Sequence, residues 1–337
     1  MKILNIPLES IPMRYSIQWD QWFTNAFLKE KVNFETIYGA PVSETITTGS
    51  FLDVCDTNIY KLTQAVQILE FIKRSKSKEP LLLFFHDLWN PALTSIAYMR
   101  DGLERRNIKI CGCLHAGSYD PHDFLTHQRM DRWAEQIENA WFGNIVDRIY
   151  VATNFHKELL CKSRLVNRDK VIVTGFPLFP DFLVSEPPAK EKIVVFPHRL
   201  DPEKQPEFFD MLSKNQELQD QEWKFIRTKD VCKTKADYYW LLHKATFAIS
   251  FATQETWGIA MQEATLCGAM PIVPRRLSYP ELYLSKFIFD TQEQIVNKIL
   301  SEVPRAYLEV QQDLIKTRGE EAIPKMIADM RANYGSL

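Results

Sequence analysis

Residues 249–282 read ISFATQETWGIAMQEATLCGAMPIVPRRLSYPEL. A β-rich run ends at Phe251, a polar loop carries Glu255, and Gly258 opens a helix bearing Ile259, Met261 and Glu263 before Gly268 closes it. An apolar strand and a second polar loop follow. Strand, loop, helix and strand in this order are a repeating unit of a parallel α/β sheet. Such sheets bind ligands outside the carboxyl ends of their strands. Glu255 and the first turn of the helix therefore stand where a ligand is expected. Unpaired N–H groups at a helix start favour an anion such as phosphate, and Gly258 lets a ligand approach the backbone closely. The segment also fits an ordinary strand–loop–helix with a capping loop.

The same alternation extends in both directions. Upstream, strands are predicted at 2–6, 34–37, 81–85, 109–114, 148–152 and 170–174, with helices at 18–30, 58–76, 91–106, 131–145 and 154–163. The pattern then restarts, with strands at 192–196, 222–227, 246–251, 270–273 and 286–289 and helices at 204–218, 235–244, 257–267 and 291–302. The seam is the stretch 176–190, which holds Pro177, Pro180, Pro187 and Pro188 and resists both helix and central strand. Residues 304–337 form an amphipathic helical segment with Tyr307, Leu308, Val310, Leu314 and Ile315 as apolar positions, and Pro324 is expected to begin a second helix. The expected organisation is α/β: an N-terminal domain over 1–178, a C-terminal domain over 179–303, and a terminal helical segment over 304–337.

Bulk properties agree with two soluble domains. The chain has 337 residues, 45% hydrophobic and 25% charged, with a net charge of −2, so overall charge gives no case for nucleic acid or an anionic membrane. Six cysteines lie at 55, 111, 113, 161, 232 and 267 without a CxxC pair. Free thiols in a reducing cytoplasm are expected, with Cys111 and Cys113 on one strand face in the core. The N-terminal run stops at Pro7 and lacks a signal peptide's apolar core. No stretch reaches the length of a membrane span.

A second informative element is VVFPHRLDPEKQPEFF at 194–209. Arg199 and Lys204 fall just past a strand's carboxyl end, where two cations neutralise a diphosphate through charge-assisted bonds. The same cations also fit a solvated loop paired with Asp201 or Glu203.

Together the two elements resemble retaining glycosyltransferases of the GT-B fold, in particular the large family-four type. That family carries "GRLDPEKG" after a strand, and later "SxxEGFGxxxxEAxACGxPV" with two glutamates eight positions apart. Residues 199–204 match the first pattern; Glu255, Gly258, Glu263, Ala264, Cys267 and Gly268 match the second, with Pro271 one position beyond the pattern's proline. The resemblance covers the C-terminal half well and the N-terminal half in outline. It implies two Rossmann-like domains facing a central cleft, with a nucleoside-diphosphate sugar, most simply a UDP-sugar, as co-substrate and no other cofactor. By position, Arg199 and Lys204 would hold the diphosphate, Glu255 and the amides of Thr256, Trp257 and Gly258 the donor sugar, and Glu263 the ribose. His115, in ICGCLHAGSYDPHD, matches the family's histidine near the anomeric carbon. On this resemblance Arg199, Lys204, Glu255 and His115 would form the catalytic set.

There are departures. Pro197–His198 replaces the glycine usual before the arginine, and a proline-braced loop bearing Glu9, Arg14 and Tyr15 replaces the glycines after the first strand. That loop is a candidate for acceptor recognition, as are His86, Asp87 and Asp120, with Asp87 fixing the His86 tautomer. The N-terminal half is also rich in tryptophan, at 19, 22, 89, 133 and 141, and such rings stack on sugars or bases as well as in cores. The chain contains no Asp-x-Asp, so no metal site is expected.

Some small GT-B enzymes of bacteriophages glycosylate hydroxymethylated DNA bases, and this chain has that general look. Lys157, Lys162 and Arg164, or Arg275 and Arg276, are candidate phosphate contacts, and a base acceptor would be flipped into an aromatic site. The near-neutral charge weighs against DNA. Other readings are a saccharide or small-molecule acceptor, a sugar-nucleotide epimerase or hydrolase, and a non-catalytic sugar-nucleotide-binding protein.

Overall fold

The structure is a computed structural model that describes residues 1–11, 14–42, 53–75, 79–104, 107–301 and 304–335. Pro12 and Met13 of the first loop, and residues 76, 105, 106, 302, 336 and 337 of the expected helices, lie outside the described residues. The chain divides into two compact units, one comprising Met1–Pro177 with Glu321–Leu337 and the other Leu178–Glu320.

The first unit holds strands β1 Lys2–Ile6, β2 Phe34–Thr36, β3 Leu81–Phe85, β4 Ile108–Cys113, β5 Arg148–Val151 and β6 Val171–Val173. The second holds β7 Glu191–Phe196, β8 Lys224–Arg227, β9 Ala245–Ile249, β10 Met270–Pro274 and β11 Ile288–Phe289. Every strand expected from the sequence is present, with ends within two residues of the expected ones. Both sheets are parallel throughout. Strand β3, LLLFF, is buried at every position, as expected when helices cover both faces of a parallel sheet.

Strand order is β2-β1-β3-β4-β5-β6 in one sheet and β11-β10-β9-β7-β8 in the other. Each order reverses once, at β1/β3 and at β7/β9. At such a reversal the loops leave the two neighbouring strands in opposite directions and open a crevice at their carboxyl ends. The fold thus opens two such places; Glu9, Arg14, Tyr15, His86 and Asp87 follow the strands at the first, and Arg199, Lys204 and Glu255 those at the second.

The helices are, in chain order, α1 Ser16–Lys29, α2 Val54–Arg74, α3 Ala92–Gly102, α4 Phe124–His127, α5 Asp131–Ala140, α6 Asn154–Ser163, α7 Pro206–Leu212, α8 Gln216–Asp220, α9 Thr228–Val231, α10 Lys235–Lys244, α11 Ile259–Leu266, α12 Tyr279–Leu282, α13 Gln292–Leu300 and α14 Arg305–Tyr334. Local chemistry sets many starts: Thr153 caps α6, and Thr234 with Asp237 forms a capping box on α10.

Three expectations are corrected. The single helix at 204–218 is a 3₁₀ turn, α7 and α8. Pro206 disfavours a right-handed helical conformation at Gln205, which turns left-handed (φ 54°), and Asn215 caps a fresh start by accepting from Leu218 N. The helix at 131–145 ends as a π-helical turn, Trp141–Ile145. Pro324 lies inside one continuous helix, α14, instead of starting another. In α14, Tyr307 and Val310 are exposed, while Leu308, Gln311, Ile315, Ala322, Ile323, Met326 and Met330 are buried. The buried stripe includes a glutamine whose amide caps Leu284 N and Leu282 O, which an apolar pattern does not reveal.

All six cysteines are free, and Cys111 and Cys113 are buried. Among the described residues no helix is long and apolar enough to cross a membrane.

Candidate functional site

The reversal in the second unit gathers the motif residues. The loop after β7 carries His198, Arg199 and Lys204; the loop after β9 carries Gln254 and Glu255. Backbone ties hold the two together, because Glu203 O accepts from both Thr253 N (2.8 Å) and Thr253 Oγ1 (3.2 Å). Lys204 is buried and donates to Gln254 O (2.5 Å) and Oε1 (3.2 Å) while pairing with Glu255 Oε2 (3.3 Å). Arg199 pairs with Asp201 (2.6 Å) and with Glu203.

Glu255 occupies the anion-attracting end of α11. Its Oε1 accepts from Gly258 N (2.9 Å), Thr256 N (3.1 Å) and Trp257 N (3.4 Å). Gly258 has φ 72°, a conformation that costs an L residue about 1–2 kcal/mol. Burial pushes the Glu255 carboxyl up, but Lys204, His198 and the Gly258 N–H outweigh it and hold the pKa below its ordinary value. The side chains of Thr256 and Trp257 are buried.

Glu263, about one turn into α11, is also buried and has its own partners. Lys235 Nζ (3.2 Å) and Tyr239 OH (2.8 Å) donate to one oxygen, and Tyr238 OH (3.0 Å) donates to the other. Phe182 stacks face to face on Tyr239, with centroids 4.4 Å apart and planes 8° from parallel. The sequence reading did not include Lys235, Tyr238 or Tyr239. Their spacing on one helix face was the available signal.

The reversal in the first unit gathers most of the remaining candidates. His115 Nε2 donates to the His86 carbonyl (2.8 Å), an acceptor only, which leaves Nδ1 to accept from Tyr15 OH (3.2 Å). The rings of Trp19 and Phe176 lie 4.8 and 4.9 Å from that of His115. Burial lowers the pKa of His115, against the opposing pull of Asp87 and the His86 carbonyl. Its imidazole is therefore a neutral group with a fixed tautomer.

His86 is fully buried and bonds through Nε2 to Asn5 Oδ1 (2.8 Å). Asn5, not Asp87, sets this ring's tautomer. Successive residues leave a strand end in opposite directions, and Asp87 instead pairs with Lys61 (3.3 Å) and accepts from Trp89 N (3.1 Å). Burial, with a smaller push from His115, takes the His86 pKa down to about 3.

Glu9 is buried and accepts from Thr57 Oγ1. The Arg14 guanidinium lies 5.8 Å from the Tyr15 ring centre. Asp120 shapes its own loop by accepting from His122 N (2.9 Å).

The basic residues offered as phosphate contacts divide. Arg164 is buried against Glu138 (2.8 Å) and does not reach solvent as that reading requires. Glu138 further accepts from Ser118 N, Ser118 Oγ and Trp89 Nε1. This pair was missed because neither residue sits in a motif. Arg276 is engaged by Phe251 O and Gln205 Oε1, and Arg275 by Asp290 (2.8 Å). Among the described residues no group of three or more His, Cys, Asp or Glu side chains is placed to hold a metal.

Known structures share this architecture. Sucrose-phosphate synthase from Thermosynechococcus elongatus superposes with a TM-score of 0.69 at 13% identity, over 98% of each chain. Anabaena Alr3699/HepE, solved in complex with UDP-glucose, gives 0.60 at 14% identity, over 98% of this chain and 99% of that one. The lipopolysaccharide outer core galactosyltransferase WaaB gives 0.60 at 13% identity, over 97% of this chain and 100% of that one. The fold is that of the GT-B glycosyltransferases, with two parallel-sheet α/β domains.

Among curated proteins, the tRNA-queuosine alpha-mannosyltransferase of Drosophila melanogaster is 33% identical over 75 residues, 22% of this chain. The match spans about a fifth (20%) of that relative's length. No protein-family model matches the chain.

Proposed function

We propose that the chain is a retaining glycosyltransferase that takes its sugar from a nucleoside diphosphate, most simply UDP. One observation carries the reading: at the β7/β9 reversal two cations and the amide-rich start of α11 converge within the second unit. Cations beside oriented N–H groups are what a departing diphosphate requires. The Anabaena neighbour, solved with UDP-glucose, supports the choice of nucleotide.

In this reading Arg199 and Lys204 hold the diphosphate, so that no metal ion is needed for that task. Glu255 and the amides of residues 256–258 hold the sugar. Glu263 exchanges its tyrosine and lysine partners for the ribose hydroxyls. The bond from the anomeric carbon to the phosphate oxygen breaks, the acceptor oxygen attacks on the same face, and the acceptor proton passes to the leaving phosphate. His115 contacts the transferred sugar as a neutral imidazole. Glu9, Arg14, Tyr15 and Asp120 take part in acceptor binding, and His86 supports His115 through its carbonyl.

For the acceptor we propose a hydroxyl on a modified base of a polynucleotide. A hydroxymethylated DNA base is the form suggested by the sequence, and the curated relative, whose name specifies a tRNA nucleoside, supports the wider class. The test begins with thermal shifts against nucleoside diphosphates and their sugars for the wild type, Arg199→Ala and Glu263→Ala. A stabilisation by one nucleotide that both variants lose supports the donor site. Sugar transfer is then followed by mass on hydroxymethylated DNA, tRNA and simple saccharides. A folded protein that no nucleotide stabilises would sink the transferase reading, and transfer to saccharides alone would sink the nucleic-acid acceptor.

A further inference from the structure

His198 is the residue in the donor loop for which neither the motif nor the proposed roles account. It follows β7 and Pro197, directly before Arg199, at the strand-order reversal. It is 4% exposed, and its ring packs edge-on against Phe196 with centroids 5.2 Å apart. Its Nε2 is buried and has no hydrogen-bond partner among the described residues.

The neighbouring polar groups differ in this respect. Lys204 has Gln254 and Glu255, Arg199 has Asp201 and Glu203, and Glu255 has the amides of 256–258. Leaving one ring nitrogen unpaired in such a place is destabilising. A leucine or phenylalanine would fill the space without that cost. A ligand entering the β7/β9 crevice would offset that cost by supplying a partner.

The ring's charge state narrows what that partner is. Burial, with Lys204 and Arg199 adding to it and Glu255 opposing, takes its pKa down to about 3. The ring is therefore neutral and carries one N–H. Two cations beside it attract an anion, and a neutral N–H serves such an anion as a directional donor.

We propose that His198 is a binding residue for the donor diphosphate, giving its Nε2–H to a phosphate oxygen where the related pattern has a glycine. The proposal rests on the donor-site reading above and deepens it. It adds a third, uncharged contact to Arg199 and Lys204.

The test is titration calorimetry of the full chain with UDP, GDP, ADP and inorganic pyrophosphate, for the wild type, His198→Leu and His198→Gln. His198→Leu is expected to weaken both the preferred nucleoside diphosphate and pyrophosphate about tenfold, the scale of one hydrogen bond to a charged group. His198→Gln, whose amide N–H reaches a similar position, should recover most of the loss. Without ligand, His198→Leu should melt at the wild-type temperature or higher, because it removes an unpaired buried nitrogen. A leucine variant that binds like the wild type refutes the proposal. So does one that melts lower without ligand and is not rescued by glutamine, because that is the behaviour of a packing residue. If the folded wild type binds none of the four probes, the donor-site reading itself fails, and the role of His198 with it.

Discussion

Replacing Lys204 by methionine keeps most of the buried stem and removes its charge. Three contacts go: the bonds to Gln254 O and Oε1 and the ion pair with Glu255. Losing a charged partner is worth about 1.5–3 kcal/mol, and an orphaned buried carbonyl costs about 1–3 kcal/mol. Glu255 keeps its bond from Gly258 N, so the total sits at the low end of that range, about 3 kcal/mol. For a unit of this size that lowers the melting temperature by about 6–12 °C.

The loss should also depend on pH. In the wild type, Glu255 titrates below its ordinary value. Its carboxylate thus contributes stability above the unfolded pKa, and that contribution is lost as pH falls through the folded value. Lys204 is the strongest of the groups that lower this pKa. Without it, burial dominates, the folded pKa climbs, and the ionised group becomes a liability at neutral pH that protonation relieves. Scanning calorimetry on both proteins at pH 7.5 and 4.5 should show a large gap at the higher pH and a smaller one at the lower. Removing Lys204 also lifts the His198 pKa, which Lys204 helps to depress, so the variant loses less to histidine protonation at the lower pH and the gap narrows in the same direction. An equal melting temperature at pH 7.5, or a gap that widens toward pH 4.5, would refute this account of the Lys204–Glu255 pair.

Three further outcomes follow from single features. Glu138→Ala strands the buried Arg164 guanidinium and should cost about 3–5 kcal/mol by denaturant titration, part of which Arg164→Met in the same chain should restore. Gly258→Ala meets nothing closer than Glu255 Cγ at 3.5 Å, so only its positive φ is penalised. Its expected cost is about 1–2 kcal/mol, with Gly258→Asn costing less, and a neutral alanine variant would contradict the assigned conformation. His86, His156 and His198 each titrate near about 3 when folded, burial being the main cause. The unfolded chain therefore takes up protons first as pH falls below the ordinary histidine value. The contribution of these histidines should be flat above that value and lost steeply from there to the folded value, with a smaller loss in His156→Phe.

What the sequence made legible has a physical pattern. Strands such as β3 are unbroken apolar runs bounded by polar turns, and their period and length are local properties. The Arg199–Lys204 and Glu255–Glu263 spacings were readable because each lies within one short continuous stretch, the first in a loop and the second running from a loop into the helix it precedes. What escaped depends on contacts distant in sequence. Asn5 reaches His86 across 81 positions, and Arg164 is claimed by Glu138, a helical residue with no motif around it. The break at Gln205 was signalled locally by Pro206, but the amphipathic pattern on both sides read through it. Pro324 was over-read in the opposite sense, since buried positions at helical spacing continue through it.

Charge balance in the proposed donor loop also constrains how an anion can bind. Arg199 and Lys204 share the loops with Asp201, Glu203 and Glu255, a net charge of −1. A diphosphate must therefore compete with internal carboxylates for each cation. Asp201→Asn separates two uses of that competition. If Asp201 merely occupies Arg199, removing its charge frees the guanidinium. The pair is about one-third exposed on the arginine side, so solvent screens it and the gain is modest, about 1 kcal/mol or fivefold in pyrophosphate affinity. If Asp201 instead aims Arg199 at the phosphate, affinity falls despite the more favourable charge. The competitive arrangement predicts the gain, measured by calorimetry at low and high salt, with the gain shrinking as salt rises. A loss at both salt concentrations would make Asp201 a positioning residue and overturn the competitive account.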